Sequence, residues 1–218
     1  APRNGMPYRL IIFDFDGTIA DSLTAVIKVI QQINNNYEPL TPEVEKSLQN
    51  RGLLDVALAM GMPWYKIPYF ILWGRAIFRH HVGSVKIHKG MDEVIKTLHK
   101  AKVPIYVVSS NREENVRAFL RKYDLEQYFT RVVGSAFIFN KAGTYRKLLE
   151  EEELEAKDVW CIGDERVDIR SAHKISARII AVTWGYNSRE ALMHKKPEHL
   201  VSHARDIVEI LLPEKAKD

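Results

Sequence analysis

Short apolar runs recur along the chain, and the stretches between them repeat on a helical period. The runs fall at 10–13, 105–108, 131–133, 159–162 and 178–182. Runs this brief and this continuously apolar suit strands buried on both faces. Strands alternating with helical patterns predict an α/β fold with a parallel sheet. About ninety residues separate the first run from the second, far more than one crossover helix requires. Residues 22–84 therefore read as an inserted helical subdomain, leaving 1–21 and 85–218 as the core.

The insert carries its own punctuation. Asp21-Ser22 precede Leu23, Val26, Ile27, Ile30 and Ile33, which share one helical face. Thr41-Pro42-Glu43 reads as an N-cap, a proline at the first helical position and an acidic first turn. Asn50-Arg51-Gly52 ends that helix, and another begins near Leu53. Gly61-Met62-Pro63 interrupts again, ahead of an aromatic-rich helix running to about His81. Trp64, Tyr65, Tyr69, Phe70 and Trp73 there read as internal packing of the insert.

Composition narrows the setting. A hydrophobic share of 46% and a charged share of 28% are ordinary for a globular chain. The formal charge of +4 is too mild to imply nucleic acid. Cys161 is the single cysteine, so no intrachain disulfide forms, and a reducing compartment is expected. No apolar stretch approaches the roughly 20 residues of a membrane span. Residues 1–9 lack a signal-peptide core. The expected setting is cytoplasmic.

Chemistry concentrates where the apolar runs end. Asp14 and Asp16 follow the first run two residues apart, and strand alternation lets both side chains point one way. Charges belong at the carboxyl end of such a strand, where open α/β sheets hold ligands. Two close carboxylates invite a hard divalent cation. The second run ends in Ser109-Ser110-Asn111, whose hydroxyls and following backbone N–H groups suit a phosphate oxygen. Lys141 stands ahead of a helix beginning near Ala142. The fourth run ends in Gly163-Asp164-Glu165-Arg166-Val167-Asp168, and a helix starting there would put Asp164 and Asp168 on one face.

Asp14-Phe15-Asp16-Gly17-Thr18, Ser109-Ser110-Asn111, Lys141 and Gly163-Asp164-x-x-x-Asp168, in this order, resemble the signatures of haloacid dehalogenase superfamily phosphatases with a helical cap. The stretches 181–188 and 196–201 resemble the tail of phosphoglycolate-phosphatase-like members. The resemblance implies a Rossmann-like parallel five-stranded sheet of order 5-4-1-2-3 flanked by helices, with 22–84 as the cap. It implies Mg²⁺, held by the Asp14 side chain, the Asp16 carbonyl and Asp164, with Asp168 ligating or orienting. Asp14 would be the nucleophile that forms an aspartyl-phosphate, and Asp16 the acid/base. Ser109 and Lys141 would hold phosphoryl oxygens, with Gly17, Ser110 and Asn111 lining the same pocket. Thr18 would support the acid/base residue and its turn.

The implied reaction is hydrolysis of a small phosphorylated metabolite by a monomer or homodimer, without nucleic acid or membrane as partner. Superfamily dehalogenases lack the second aspartate, so Asp16 argues against carbon–halogen chemistry. A phosphomutase keeps every motif, and a non-catalytic phospho-ligand binder would share the fold. One departure is Glu165-Arg166, where such phosphatases often carry serine after Gly-Asp. In the cap, Arg51 is a candidate partner for a second anionic group on the substrate. Residues 56–90 contain no Asp or Glu, while Lys66, Arg75, Arg79, Lys86 and Lys89 are all there. These basic positions are read as solvated flanks of an apolar core rather than an anion-attracting side.

Overall fold

The computed structural model describes residues 8–35, 41, 53–70, 79–134 and 140–213. Strand β1 (Leu10–Phe13) runs parallel to β4 (Ile105–Val108) on one side and β6 (Val159–Gly163) on the other. Beyond them lie β5 (Arg131–Val133), β7 (Arg178–Val182) and β8 (His199–Val201). The sheet has six strands in the order β5-β4-β1-β6-β7-β8. The α/β class and the parallel sheet agree with expectation, but the strand count does not. His199–Val201 adds a parallel sixth strand against β7. Its three residues grade from exposed to buried and carry no continuous apolar run.

Alternation along the central strands explains the layering. Ile11, Phe13, Ile105, Val107, Trp160 and Ile162 enter one hydrophobic cluster. Their neighbours Leu10, Ile12, Tyr106, Val108, Val159 and Cys161 enter a second. Helices α3 (Met91–Lys100), α4 (Glu113–Lys122) and α8 (Ala204–Leu211) cover the first face through Ile95, Phe119 and Ile207. Helices α5 (Lys141–Glu151), α6 (Arg166–His173) and α7 (Arg189–Met193) cover the second through Tyr145, Ile169 and Leu192. With both faces covered, the sheet is free to offer ligands only its carboxyl edge.

Between β1 and α3 the chain leaves and returns through a two-stranded antiparallel ribbon. β2 (Ala20–Asp21) pairs with β3 (Lys86–Ile87), Ala20 opposite Ile87. Two residues per strand are too few to show a period in the sequence. The described residues between them are helical in large part, including α1 (Leu23–Asn34) and α2 (Leu53–Ala59). Helix α2 starts at Leu53 as expected, and Gly61 makes the following turn at φ +77°. Residues 42–52, including Arg51, and 71–78, including Trp73 and Arg75, lie outside the described residues.

The aromatic packing expected there holds only in part. Phe70 is buried, but Trp64 is 80% exposed, Tyr65 64% and Tyr69 48%. The segment opens as a 3₁₀ turn, Trp64–Lys66, rather than as α-helix. Three residues per turn rather than 3.6 breaks the expected stripe. Among the described residues no helix is long and apolar enough to cross a membrane.

Candidate active site

Asp14 leaves the end of β1 and is 7% exposed. Its backbone N–H donates to the Ile162 carbonyl at 2.8 Å, which extends the β1–β6 ladder by one rung and fixes the side chain's direction. Phe15, fully buried, then anchors a tight turn: the N–H groups of Ile19 and Ala20 both donate to its carbonyl at 3.0 Å. Gly17 sits in that turn at φ +84°, a region that disfavours other residues. A Cβ there would also strike the Asp164 carboxylate.

Lys141 opens helix α5, which is capped by Asn140 accepting from the Gly143 N–H at 3.2 Å. The Lys141 ammonium donates to Asp14 Oδ1 and to Asp168 Oδ1, each at 2.6 Å. Burial works against that charge, but Asp14 and Asp168 outweigh it and hold the lysine well above its ordinary pKa. Burial pushes the Asp14 carboxyl up to about 7, with Lys141 opposing and Asp168 assisting.

Asp164 is wholly buried at the end of β6. Its Oδ1 accepts from the Thr18 hydroxyl at 2.6 Å and its Oδ2 from the Tyr186 N–H at 2.7 Å. Thr18 therefore serves Asp164 rather than the acid/base residue. Burial, with Asp14, Glu165 and Asp168 adding repulsion, raises Asp164 well above the carboxylate range. Helix α6 begins only at Arg166, so Asp164 and Asp168 do not share a helical face. Asp168 is instead the third residue of α6 and caps it, its Oδ2 accepting from the Glu165 N–H at 2.9 Å. Glu165 and Asp168 form a reciprocal capping box. That gives Glu165, the departure after Gly-Asp, a local structural job.

Oxygens from Asp14, Asp164 and Asp168 lie within 4.8 Å of one another. Three buried carboxylates against one ammonium leave excess negative charge in a low-dielectric setting. Oxygen donors at this spacing suit a hard cation such as Mg²⁺ or Ca²⁺. Asp168 accepts from Lys141 through Oδ1 and caps α6 through Oδ2, so besides its place in the cluster it aims the lysine.

Asp16 lies across from this group, and Asn111 Nδ2 donates to its Oδ2 at 3.3 Å. Its Oδ1 is buried without a hydrogen-bond partner. Burial raises the Asp16 pKa, while hydrogen bonds from Ser22 and Asn111 oppose. The Ser109 Oγ accepts from the Asn111 N–H at 2.9 Å, so its own proton stays available to a ligand. Ser110 follows it, half-buried.

The sequence reading missed Gly185, Tyr186 and Ser22. A Cβ on Gly185 would overlap Asp164, and Trp184 Nε1 donates to the Thr18 carbonyl at 3.1 Å. A glycine between two aromatics just after β7 marks the place in the sequence without saying what it makes room for. Cys161 is buried, and burial pushes its thiol up to about 12, as suits an inert packing residue.

The family profile of the haloacid dehalogenase-like hydrolases matches residues 11–182. The chain belongs to that family. A phosphoglycolate phosphatase of Synechococcus elongatus is 26% identical over 202 residues, covering 91% of this chain and 95% of that protein. A phosphoglycolate phosphatase of Photobacterium profundum is 22% identical, covering 93% of this chain and 95% of that protein. Among solved structures, a haloacid dehalogenase-like hydrolase from Streptococcus pneumoniae superposes with a TM-score of 0.78 at 16% identity, covering 94% and 98% of the two chains. Over most of its length this haloacid dehalogenase-like hydrolase is similar to proteins named phosphoglycolate phosphatase.

Proposed function

We propose that this hydrolase is a Mg²⁺-dependent phosphomonoesterase that cleaves a small phosphorylated metabolite through an aspartyl-phosphate. One observation carries the reading: Asp14, Asp164, Asp168 and Lys141 converge, buried, at the carboxyl ends of adjacent central strands. Asp14 and Asp164, with the Asp16 carbonyl, would hold the cation. When bound, the ion offsets the charge of the acids and of the phosphate they must approach.

The protein groups then divide the work. The Asp14 carboxylate attacks phosphorus in line, forming the acyl-phosphate bond as the ester P–O bond breaks. Asp16, protonated on its free Oδ1, gives that proton to the leaving alkoxide. Water next attacks phosphorus, Asp16 takes its proton, and the bond to Asp14 breaks to release phosphate. Ser109 and Lys141 hold the phosphoryl oxygens throughout, with Gly17, Ser110 and Asn111 around them. Residues 22–84 act as the cap that excludes water, and Arg51 among them meets a second anionic group of the substrate.

The test is phosphate release from a panel of phosphorylated metabolites, phosphoglycolate first because relatives carry that name. Release that needs Mg²⁺ and disappears in Asp14→Asn is the expected result. No Mg²⁺-dependent release from any substrate overturns the reading in favour of a binding protein. Isomerised product with little free phosphate overturns it in favour of a mutase.

A further inference from the structure

Ser22 holds the N-cap position of α1, yet its side chain makes no cap hydrogen bond. A serine in that place ordinarily accepts from a backbone N–H two or three residues on. The Ser22 hydroxyl, fully buried, is instead 2.9 Å from the Tyr186 phenol oxygen. Toward Asp16 the hydroxyl acts as a donor, opposing the rise that burial imposes on that carboxyl. A serine hydroxyl has one proton and a carboxylate has none to give. Ser22 therefore donates to Asp16, and Tyr186 donates to Ser22. Burial, reinforced by the charge of Asp16, holds the Tyr186 phenol well above its ordinary pKa, so that donor persists.

Asn111 meets the same carboxylate at Oδ2. Asn111 Oδ1 accepts from the Arg112 N–H and from Asn115 Nδ2, each at 2.8 Å. Its amide nitrogen is thereby turned toward Asp16 Oδ2. What remains is Asp16 Oδ1, buried and without a partner. A buried carboxylate oxygen left alone is costly, and it becomes useful when it faces a reacting atom.

We infer that Ser22 and Tyr186 are positioning residues, a relay that with Asn111 holds Asp16 so that Oδ1 meets the leaving oxygen of the substrate. The inference rests on the phosphatase reading above and deepens it. Tyr186 then joins the two halves of the site, its backbone N–H on Asp164 and its phenol directed to Asp16 through Ser22.

The test compares kcat/KM for an alkyl phosphate and for p-nitrophenyl phosphate, whose leaving group departs without a proton. Both are measured in wild type, Tyr186→Phe, Ser22→Ala and the double variant. Tyr186→Phe keeps the backbone amide that holds Asp164. Kinetics of kcat/KM report the first irreversible step, where only the leaving group distinguishes the two substrates.

Each single variant is expected to lose about tenfold on the alkyl phosphate and less than about twofold on the aryl phosphate. The double variant should lose no more than the worse single, because both residues act on Asp16 through one chain. Equal losses on both substrates, or no loss on either, overturn the inference while leaving a phosphatase. A wild type that cleaves the aryl but no alkyl phosphate overturns it too. A wild type that releases no phosphate at all overturns the reading beneath it.

Discussion

Asp164 shows how little freedom a single buried carboxylate keeps at this site. Thr18 and the Tyr186 N–H hold its two oxygens, while Gly17 and Gly185 press against it so closely that neither position has room for a Cβ. Gly185→Ala must displace the carboxylate, because the added methyl group would meet its Cβ and Cγ as well as Oδ2. The expected outcome is a loss of Mg²⁺ affinity of at least about tenfold, as for a misplaced supporting group, measured by titration calorimetry on the folded variant. Unchanged affinity would show that Asp164 is not a ligand. The strand-end carboxylates were legible because charge at the end of an apolar run restricts residue type, while Ser109 and Lys141 stood out only through the ordered motifs of the family resemblance. Gly185 was not, since a glycine after a strand reads the same whether it turns the chain or makes room for a neighbour. Tyr186 escaped for a related reason: what it gives Asp164 is a backbone N–H, which leaves no mark on residue identity.

The same contrast runs through the secondary elements. Five strands were legible as apolar runs, and both layers follow from their alternation. The sixth strand and the β2–β3 ribbon were not, because two or three residues carry no measurable period. Trp64 and Tyr65 were misplaced because a 3₁₀ turn does not follow the helical stripe. Capping separates two helices whose starting residues look alike in sequence. Asn140 caps α5 through the Gly143 N–H, so Asn140→Ala should cost about 1 kcal/mol of stability by urea denaturation. The same substitution also loosens the first turn that carries Lys141, and activity should fall with it. Ser22 makes no such bond to α1. A helix-cap loss in Ser22→Ala would therefore contradict its place beside Asp16. Arg166, at the start of α6, reaches Asp55 of α2 at 3.1 Å. Both side chains are about half exposed, at 48% and 47%, so screening limits this link between α2 and α6 to a minor stabilising role.

Across the whole molecule, the acid cluster sets how stability depends on pH and on metal. The Asp14 carboxyl stands at about 7 in the folded protein, above its ordinary range, with burial the leading cause. A folded state that holds this proton more tightly than the unfolded chain gains stability at low pH. That gain is lost as pH rises from the carboxylate range through about 7. Asp164 and Asp16, also raised chiefly by burial, act in the same direction. In EDTA these carboxyls should therefore lower the unfolding free energy between pH 5.5 and 7.5, against the opposite contribution of His81 and His88, whose burial holds them below the ordinary imidazole range. Asp14→Asn removes one of the titrating groups and should flatten that fall. Divalent cation reverses it for the wild type, because ligands must be deprotonated to bind and a ligand held only by the folded state stabilises it by mass action. The measurement is urea unfolding at both pH values, with EDTA or with excess Mg²⁺, for wild type and Asp14→Asn. If Mg²⁺ stabilises both proteins equally, or stabilises the wild type no more at pH 7.5 than at 5.5, the buried carboxylates are not where the cation binds. A larger Mg²⁺ effect at the higher pH, diminished in Asp14→Asn, would tie folding, metal and nucleophile to one cluster of charge.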